Sequence, residues 1–82
     1  GTLDDQKGEV PLYYRGQTGV FRKRENADRM LYQLQDQGYP AYILLEGDFY
    51  KVQVGAFLQL DNAISMEQRL RDDGYSTLIV TK

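Results

Sequence analysis

Two stretches of the chain show the same change of hydrophobic period. Tyr50-Lys-Val-Gln-Val54 alternates apolar and polar residues, the pattern of a half-buried strand. A helical spacing follows, and the same spacing occurs earlier in the chain. The apolar positions of these predicted helices are Ala27, Met30, Leu31 and Leu34 in one stretch and Ala63, Met66 and Leu70 in the other. Each stretch therefore predicts a strand followed by a helix of three to four turns.

Turn-forming residues mark the ends of the predicted elements. Gly19 and Gly55 are expected to end the strands, and Gly38 and Gly74 to supply the left-handed residue that ends each helix. Asp61 is a plausible N-cap of the second helix. Strand-like runs then cover 41–45 and 77–80. The segment 46–48, Glu-Gly-Asp, predicts a tight hairpin between the two halves.

A shift of 36 residues superimposes the two stretches. Residues 13–46 then align with 49–82, and twelve of the 34 positions are identical. The identities include Tyr14/Tyr50, Gln17/Gln53 and Gly19/Gly55. Because a solenoid needs about three or more repeats for stability, two copies indicate one domain with internal pseudo-twofold symmetry. We assign the domain to 13–82, with halves 13–48 and 49–82, and predict a linker over 1–12.

The combined pattern predicts an α+β fold of order βαββαβ. Right-handed crossovers place both helices on one face of a four-stranded antiparallel sheet, with strands one and three at its centre. Side chains alternate between the two faces of a strand. Val52 and Val54 are therefore expected to face the helices. The residues predicted on the open face are Tyr13, Arg15 and Gln17 from strand one, Phe49, Lys51 and Gln53 from strand three, Tyr42 and Leu44 from strand two, and Leu78 and Val80 from strand four.

Composition limits the chemistry of that face. The chain has no Cys and no His, which excludes thiol and Ser–His–Asp catalysis and most transition-metal sites. We expect no catalytic residues, metal or cofactor. The net charge of −2 lies in 1–12, so the predicted domain is neutral, which disfavours nucleic-acid binding. No apolar run approaches the length of roughly 20 residues that spans a membrane.

The second copy resembles a SPOR domain, the sporulation-related repeat of bacterial cell-envelope proteins. The resemblance rests on Tyr50-Lys-Val-Gln-Val-Gly-Ala-Phe57, Asp61-Asn-Ala63 and Leu70-x-x-x-Gly74-Tyr75. The first copy, with 14–21 in place of 50–57, is similar to the family's first half. The resemblance implies a ferredoxin-like fold and binding of peptidoglycan glycan strands that lack stem peptides. It also implies a parent protein exported to the periplasm or cell wall and directed to the septum or spore wall.

The resemblance also suggests which residues contact the glycan. By position, the family's contacts fall on Gln17, Phe49 and Lys51, with Tyr13, Arg15, Gln53 and Tyr42 as further candidates on the open face. Aromatic rings could stack on sugar faces, and glutamines could bond N-acetyl and hydroxyl groups. Arg15 or Lys51 could meet a lactyl carboxylate. Family members often carry a small or hydroxyl residue before the first-strand phenylalanine. Val20 stands there, so any hydrogen bond from that position is lost.

Two other classes share the predicted element order. An RNA-recognition module would have the K/R-G-F/Y-G/A-F-V-x-F/Y run on strand three, and 50–57 lacks it. A regulatory protein-docking domain of ferredoxin-like fold would usually dimerise, whereas we expect a monomer that contacts neither membrane nor nucleic acid. Fold alone does not decide among these functions.

Overall fold

The computed structural model describes residues 11–82 and confirms the predicted order of elements. The elements are β1 (Tyr14–Phe21), α1 (Arg24–Asp36), β2 (Ala41–Glu46), β3 (Phe49–Phe57), α2 (Leu60–Asp72) and β4 (Leu78–Thr81). Both helices contain 13 residues. Their first residues, 24 and 60, and their last residues, 36 and 72, are each separated by the 36 positions of the sequence repeat.

The four strands form one antiparallel sheet in the order β2-β3-β1-β4. The prediction that the first and third strands lie at the centre is therefore confirmed. Val52 and Val54 of β3 are buried in one cluster with Leu34 of α1 and Leu70 of α2. Both helices thus cover the same face of the sheet, and within residues 11–82 no helix lies over the opposite face.

The predicted helical stripes form the core. Ala27 and Leu34 of α1 and Ala63 and Leu70 of α2 are buried. The stripe of α2 also includes Glu67, which stands 36 residues after Leu31 and is 9% exposed. Arg71, one turn later, donates to Glu67 Oε2 through Nε at 3.0 Å and Nη2 at 2.5 Å. This ion pair lets a carboxylate occupy a position that is apolar in the first half.

Tyr39 and Tyr75, another pair 36 residues apart, meet at the ends of the helices. Their rings form an edge-to-face contact with centroids 6.5 Å apart. The Tyr39 hydroxyl is buried and donates to Asp73 and to the Arg69 carbonyl. Burial, followed by the hydrogen bond to Asp73, raises the pKa of Tyr39. The two tyrosines therefore pack where each helix is followed by the next strand.

Gly38 and Gly74 follow the helices with φ of 88° and 95°, as predicted. The prediction that Gly19 and Gly55 end their strands is wrong, because β1 and β3 continue to Phe21 and Phe57. In both strands the phenylalanine two residues later folds over the glycine. A Cβ atom at Gly55 would lie 2.5 Å from Phe57 Cε2, and one at Gly19 would lie 2.7 Å from Phe21 Cε2. The glycines therefore allow each phenylalanine ring to pack closely against the backbone of its own strand.

The ends of several elements differ slightly from the prediction. Asp61 is not the N-cap of α2, because the helix begins at Leu60 after the N-cap Gln59. Asp61 instead lies in the first turn, where its charge interacts favourably with the helix dipole. The predicted hairpin at 46–48 narrows to Gly47 and Asp48 between β2 and β3, and β4 begins at Leu78 rather than at 77.

Candidate functional site

Three of the predicted site residues form a row across the open face of the sheet. Gln17 of β1 lies opposite Gln53 of β3, and Gln53 lies opposite Tyr42 of β2. On the other side of β1, Gln17 lies opposite Leu78 of β4. The row therefore places two glutamines at the centre of the sheet, flanked by an aromatic and an aliphatic residue at its edges.

A β-bulge changes the alternation of β1 after Gln17. The register with β3 shifts between Gln17 and Gly19. The extra residue, Thr18, points to the helix layer, where its hydroxyl donates to the Val52 carbonyl at 3.3 Å. Val20 then lies opposite Lys51 and is 45% exposed. Val20 is thus a residue of the open face that strict alternation from Gln17 did not predict.

Gln17 and Gln53, which are equivalent in the repeat, are joined by a hydrogen bond. Gln53 Nε2 donates to Gln17 Oε1 at 3.1 Å. Gln53 is only 2% exposed, and its Oε1 is buried without a hydrogen-bond partner among residues 11–82. Gln53 lies on the predicted face, but its side chain is buried beneath its neighbours. Its amide is therefore not exposed to a ligand. Gln17 is half-buried above it, and its N–H groups donate no hydrogen bond within residues 11–82, so they can donate to a ligand.

Arg15, Tyr13 and Tyr42 form a second cluster, which we call the arginine cluster. Arg15 Nη1 donates to Tyr42 Oη at 2.7 Å, and the same hydroxyl donates to the Gly55 carbonyl at 2.8 Å. The guanidinium carbon lies 5.5 Å from the Tyr13 ring centroid and 5.6 Å from that of Tyr42. Two aromatic rings and one hydroxyl therefore hold the guanidinium in place.

One carboxylate and two cations form a bridge on the part of the open face away from the arginine cluster. Lys51 Nζ donates to Glu46 Oε1 at 2.5 Å, and Lys82 Nζ bonds the other carboxylate oxygen. Glu46 ends β2 and Lys82 follows β4, which are opposite edge strands. Their ion pair joins the two edges of the sheet across the open face, so this face forms a groove.

This groove has a volume of about 290 Å³. Its lining includes Gln17, Leu44, Glu46, Lys51, Gln53 and Lys82. Sequence reasoning missed Glu46 and Lys82 as residues of the face. The repeat carried a signal, because the two occupy equivalent positions, 46 and 82, with opposite charges.

The bridge at Glu46 predicts a specific dependence of stability on pH. Hydrogen bonds from Lys51 and then Lys82 lower the pKa of Glu46 from its ordinary value of 4.5 to about 2. The bridge therefore contributes stability above about pH 4.5, and the contribution is lost as pH falls toward about 2. Urea unfolding of the wild type and Glu46→Gln across this range should give stability curves that converge at the acid end. A difference unchanged near pH 2 would contradict this assignment.

Phe49 lies beside this bridge at the end of the face. It is paired with Glu46 across the β2–β3 hairpin and is 36% exposed. The guanidinium carbon of Arg22 lies 5.1 Å from its ring centroid. The ring thus has one side supported by a cation and part of its surface open to a ligand.

The described part of the chain shows neither a metal-binding cluster nor a membrane-spanning helix. Within residues 11–82, no three or more His, Cys, Asp or Glu side chains are grouped so that they could bind a metal ion. Nor does this part include a helix of the length and apolarity required to traverse a bilayer. The polar groups brought together on the open face are amides, hydroxyls, a carboxylate and cations, a set suited to binding a polar polymer.

The fold and its groove define a small α+β domain with a concave sheet face. A family model described as the SPOR domain matches residues 13–81, and the chain belongs to this family. The solution structure of the peptidoglycan binding domain of the B. subtilis cell wall lytic enzyme CwlC is similar, with a TM-score of 0.81 and 30% identity. The match covers 90% of this chain and 94% of that chain. A search of curated proteins found no match.

Proposed function

We propose that this domain binds the glycan strands of peptidoglycan without catalysing a reaction and prefers strands that lack stem peptides. The observation that carries the proposal is the groove across the open face, with the Gln17–Gln53 pair at its floor and Phe49 next to Glu46 of its lining. Membership of the SPOR family and the likeness to a peptidoglycan binding domain support the same ligand.

The groove matches the chemistry of a glycan strand. A strand presents apolar sugar faces, N-acetyl and hydroxyl groups, and one lactyl carboxylate on each muramic residue that has lost its peptide. Phe49 can stack on a sugar face, and Gln17 can donate to an N-acetyl carbonyl. Cations near the groove can bind the carboxylate by a charge-assisted hydrogen bond. A stem peptide converts this carboxylate to an amide and adds bulk, which accounts for the proposed preference for stripped strands.

The same binding explains where such a domain would act. A module that recognises stripped glycan would concentrate the protein that carries it where stem peptides are being removed, at the septum or in the spore wall. We therefore assign the domain to the periplasm or cell wall as a monomeric targeting module. The neutral charge of 13–82 supports glycan rather than nucleic acid as the partner.

Phe49→Ala should weaken retention on amidase-treated sacculi. Phe49 is 36% exposed, so a sugar face could bury roughly a third of a ring surface of about 200 Å², worth about 2 kcal/mol. The measurement is a pull-down that compares intact sacculi, treated sacculi and single-stranded RNA. We expect wild-type enrichment on the treated wall and a loss of about tenfold or more in the variant.

Tyr32→Ala provides the matched control, because Tyr32 is an aromatic residue of α1 that is 59% exposed on the helix layer. It should bind like the wild type. Equal retention of the wild type on intact and treated sacculi would refute the preference for stripped strands. Capture by RNA alone would refute glycan binding.

A further inference from the structure

The repeat places two cations at equivalent positions of the open face, but their surroundings differ. Arg15 and Lys51 are 36 residues apart. Lys51 is bound to the Glu46 carboxylate at 2.5 Å, so its charge already has a partner within the protein. The residue equivalent to Glu46 in the other half is Lys82. The repeat therefore supplies an acid beside Lys51, whereas the equivalent position in the other half carries Lys82, whose Nζ also bonds Glu46.

Arg15 has no carboxylate partner among residues 11–82. The ion pairs within that range join Arg24 to Asp28, Lys51 and Lys82 to Glu46, and Arg71 to Glu67. The guanidinium donates only to the Tyr42 hydroxyl within the same range, through Nη1. Its Nε is buried without a partner, and its Nη2 makes no hydrogen bond there. This leaves a charged, half-buried group with unused donor capacity.

The arginine cluster holds that group in one orientation. Arg15 lies where the register between β1 and β3 shifts, and its Nη1 reaches over β3 to the Tyr42 hydroxyl on β2. The Tyr42 hydroxyl is itself fixed by its bond to the Gly55 carbonyl. The residue equivalent to Tyr42 in the other half is Leu78, which cannot accept a hydrogen bond from Lys51. Of the two equivalent cations, Arg15 is therefore the one held by aromatic groups rather than by a carboxylate.

We propose that Arg15 is the carboxylate-binding residue of the domain and that it, rather than Lys51, recognises the lactyl group of a stripped muramic residue. This inference rests on the proposed glycan-binding function and assigns its specificity to one side chain. A guanidinium held by aromatic rings loses little freedom when it binds a carboxylate. Lys51, in contrast, already shares its charge with the Glu46 carboxylate.

The test compares one pair of ligands across matched variants. The ligands are soluble glycan chains released from amidase-treated sacculi, and the same chains with their carboxylates coupled to methylamine. We expect the wild type to bind the carboxylate form about tenfold more tightly, as for one charge-assisted hydrogen bond. Arg15→Gln should bind both forms equally, whereas Lys51→Gln should keep the tenfold preference. The ratio within each variant cancels any general loss of affinity.

Tyr42→Phe covers the case in which Arg15→Gln does not fold. It keeps the ring but removes the hydroxyl that positions Nη1, so the preference should fall well below tenfold. If the wild type binds neither ligand, the proposed function fails. If the wild type binds the carboxylate form more tightly but Arg15→Gln keeps that preference, or Lys51→Gln loses it, the assignment to Arg15 is overturned and glycan binding stands. A wild type that binds both forms equally overturns the assignment as well.

Discussion

Gln17→Glu should abolish retention on stripped glycan while leaving the fold intact. The new carboxylate has nearly the shape of the amide, and it can still accept the hydrogen bond from Gln53 Nε2 that is 3.1 Å long in the wild type. It loses the N–H groups through which Gln17 would donate to the ligand. It also brings a negative charge into a groove that, under the proposed function, receives the lactyl carboxylates of the ligand, and like charges at an interface cost several kcal/mol. We expect affinity to fall by at least about a hundredfold.

Gln33→Glu is the control for this substitution. Gln33 is exposed on α1, on the layer opposite the groove, and the change in charge and shape is the same. Its binding should match the wild type, and both variants should unfold within about 0.5 kcal/mol of it. Gln17→Glu that binds normally would show that the centre of the sheet does not contact the ligand. A large loss in Gln33→Glu would show that net charge, rather than the groove, controls binding.

Gln17→Ala would be a less informative variant. It removes the acceptor of the Gln53 amide, which is 2% exposed and cannot turn to solvent. A buried polar group left without its partner costs about 1–3 kcal/mol. A loss of binding in that variant would combine a damaged groove floor with a missing ligand contact. The glutamate substitution separates the two effects.

The fold could be predicted from the sequence because the two copies repeat the same local sequence patterns. Each has an alternating strand, an apolar helical stripe and a glycine after the helix, and both helices form 36 residues apart. The sheet order then followed from the crossover rule. Where local chemistry and tertiary packing disagreed, the prediction failed. Gly19 and Gly55 have the character of strand ends, but the rings of Phe21 and Phe57 pack over them inside the strands.

The details of the open face depend on contacts that no local pattern contains. The bulge at Thr18 moves Val20 onto the face, and it shows in the sequence only as a weaker alternation in the first strand. The Glu46–Lys82 pair depends on the curvature of the whole sheet. The burial of Gln53 depends on its neighbours on three strands. Residue positions on strands could thus be predicted, whereas their partners and exposure could not.

The pseudo-symmetry also separates what the two halves contribute. The identical pair Gln17/Gln53 lies at the centre of the sheet, and its two side chains contact each other. Positions that differ, such as Tyr42/Leu78 and Glu46/Lys82, make the two ends of the face unlike. Under the proposed function the ligand is a glycan strand, which has a direction, and a face with unlike ends would bind it in one orientation. The differences between the two copies therefore make the open face asymmetric, although the fold itself is pseudo-symmetric.

Leu70→Ala should cause one of the largest losses of stability available in this domain, about 3 kcal/mol. Leu70 is completely buried, and its Cδ1 would lie 3.5 Å from a Cβ atom at Gly16 of β1. Because Gly16 has no side chain, the strand cannot fill the cavity that the substitution leaves. Leu60→Ala in the same helix is the control, since Leu60 is 44% exposed and should lose well under 1 kcal/mol. Urea unfolding measures both.

The same site allows a double-mutant cycle. Gly16→Ala alone places a methyl group 3.3 Å from Thr77 Cγ2, a tight contact that should give little gain. In the Leu70→Ala background, that methyl group enters the cavity, and the double variant should recover about 0.5–1 kcal/mol relative to Leu70→Ala. Strict additivity of the two substitutions would contradict the contact between Gly16 and Leu70. Coupling would show that Gly16 of β1, which stands where the equivalent position of β3 has Val52, is matched to the larger Leu70 of α2.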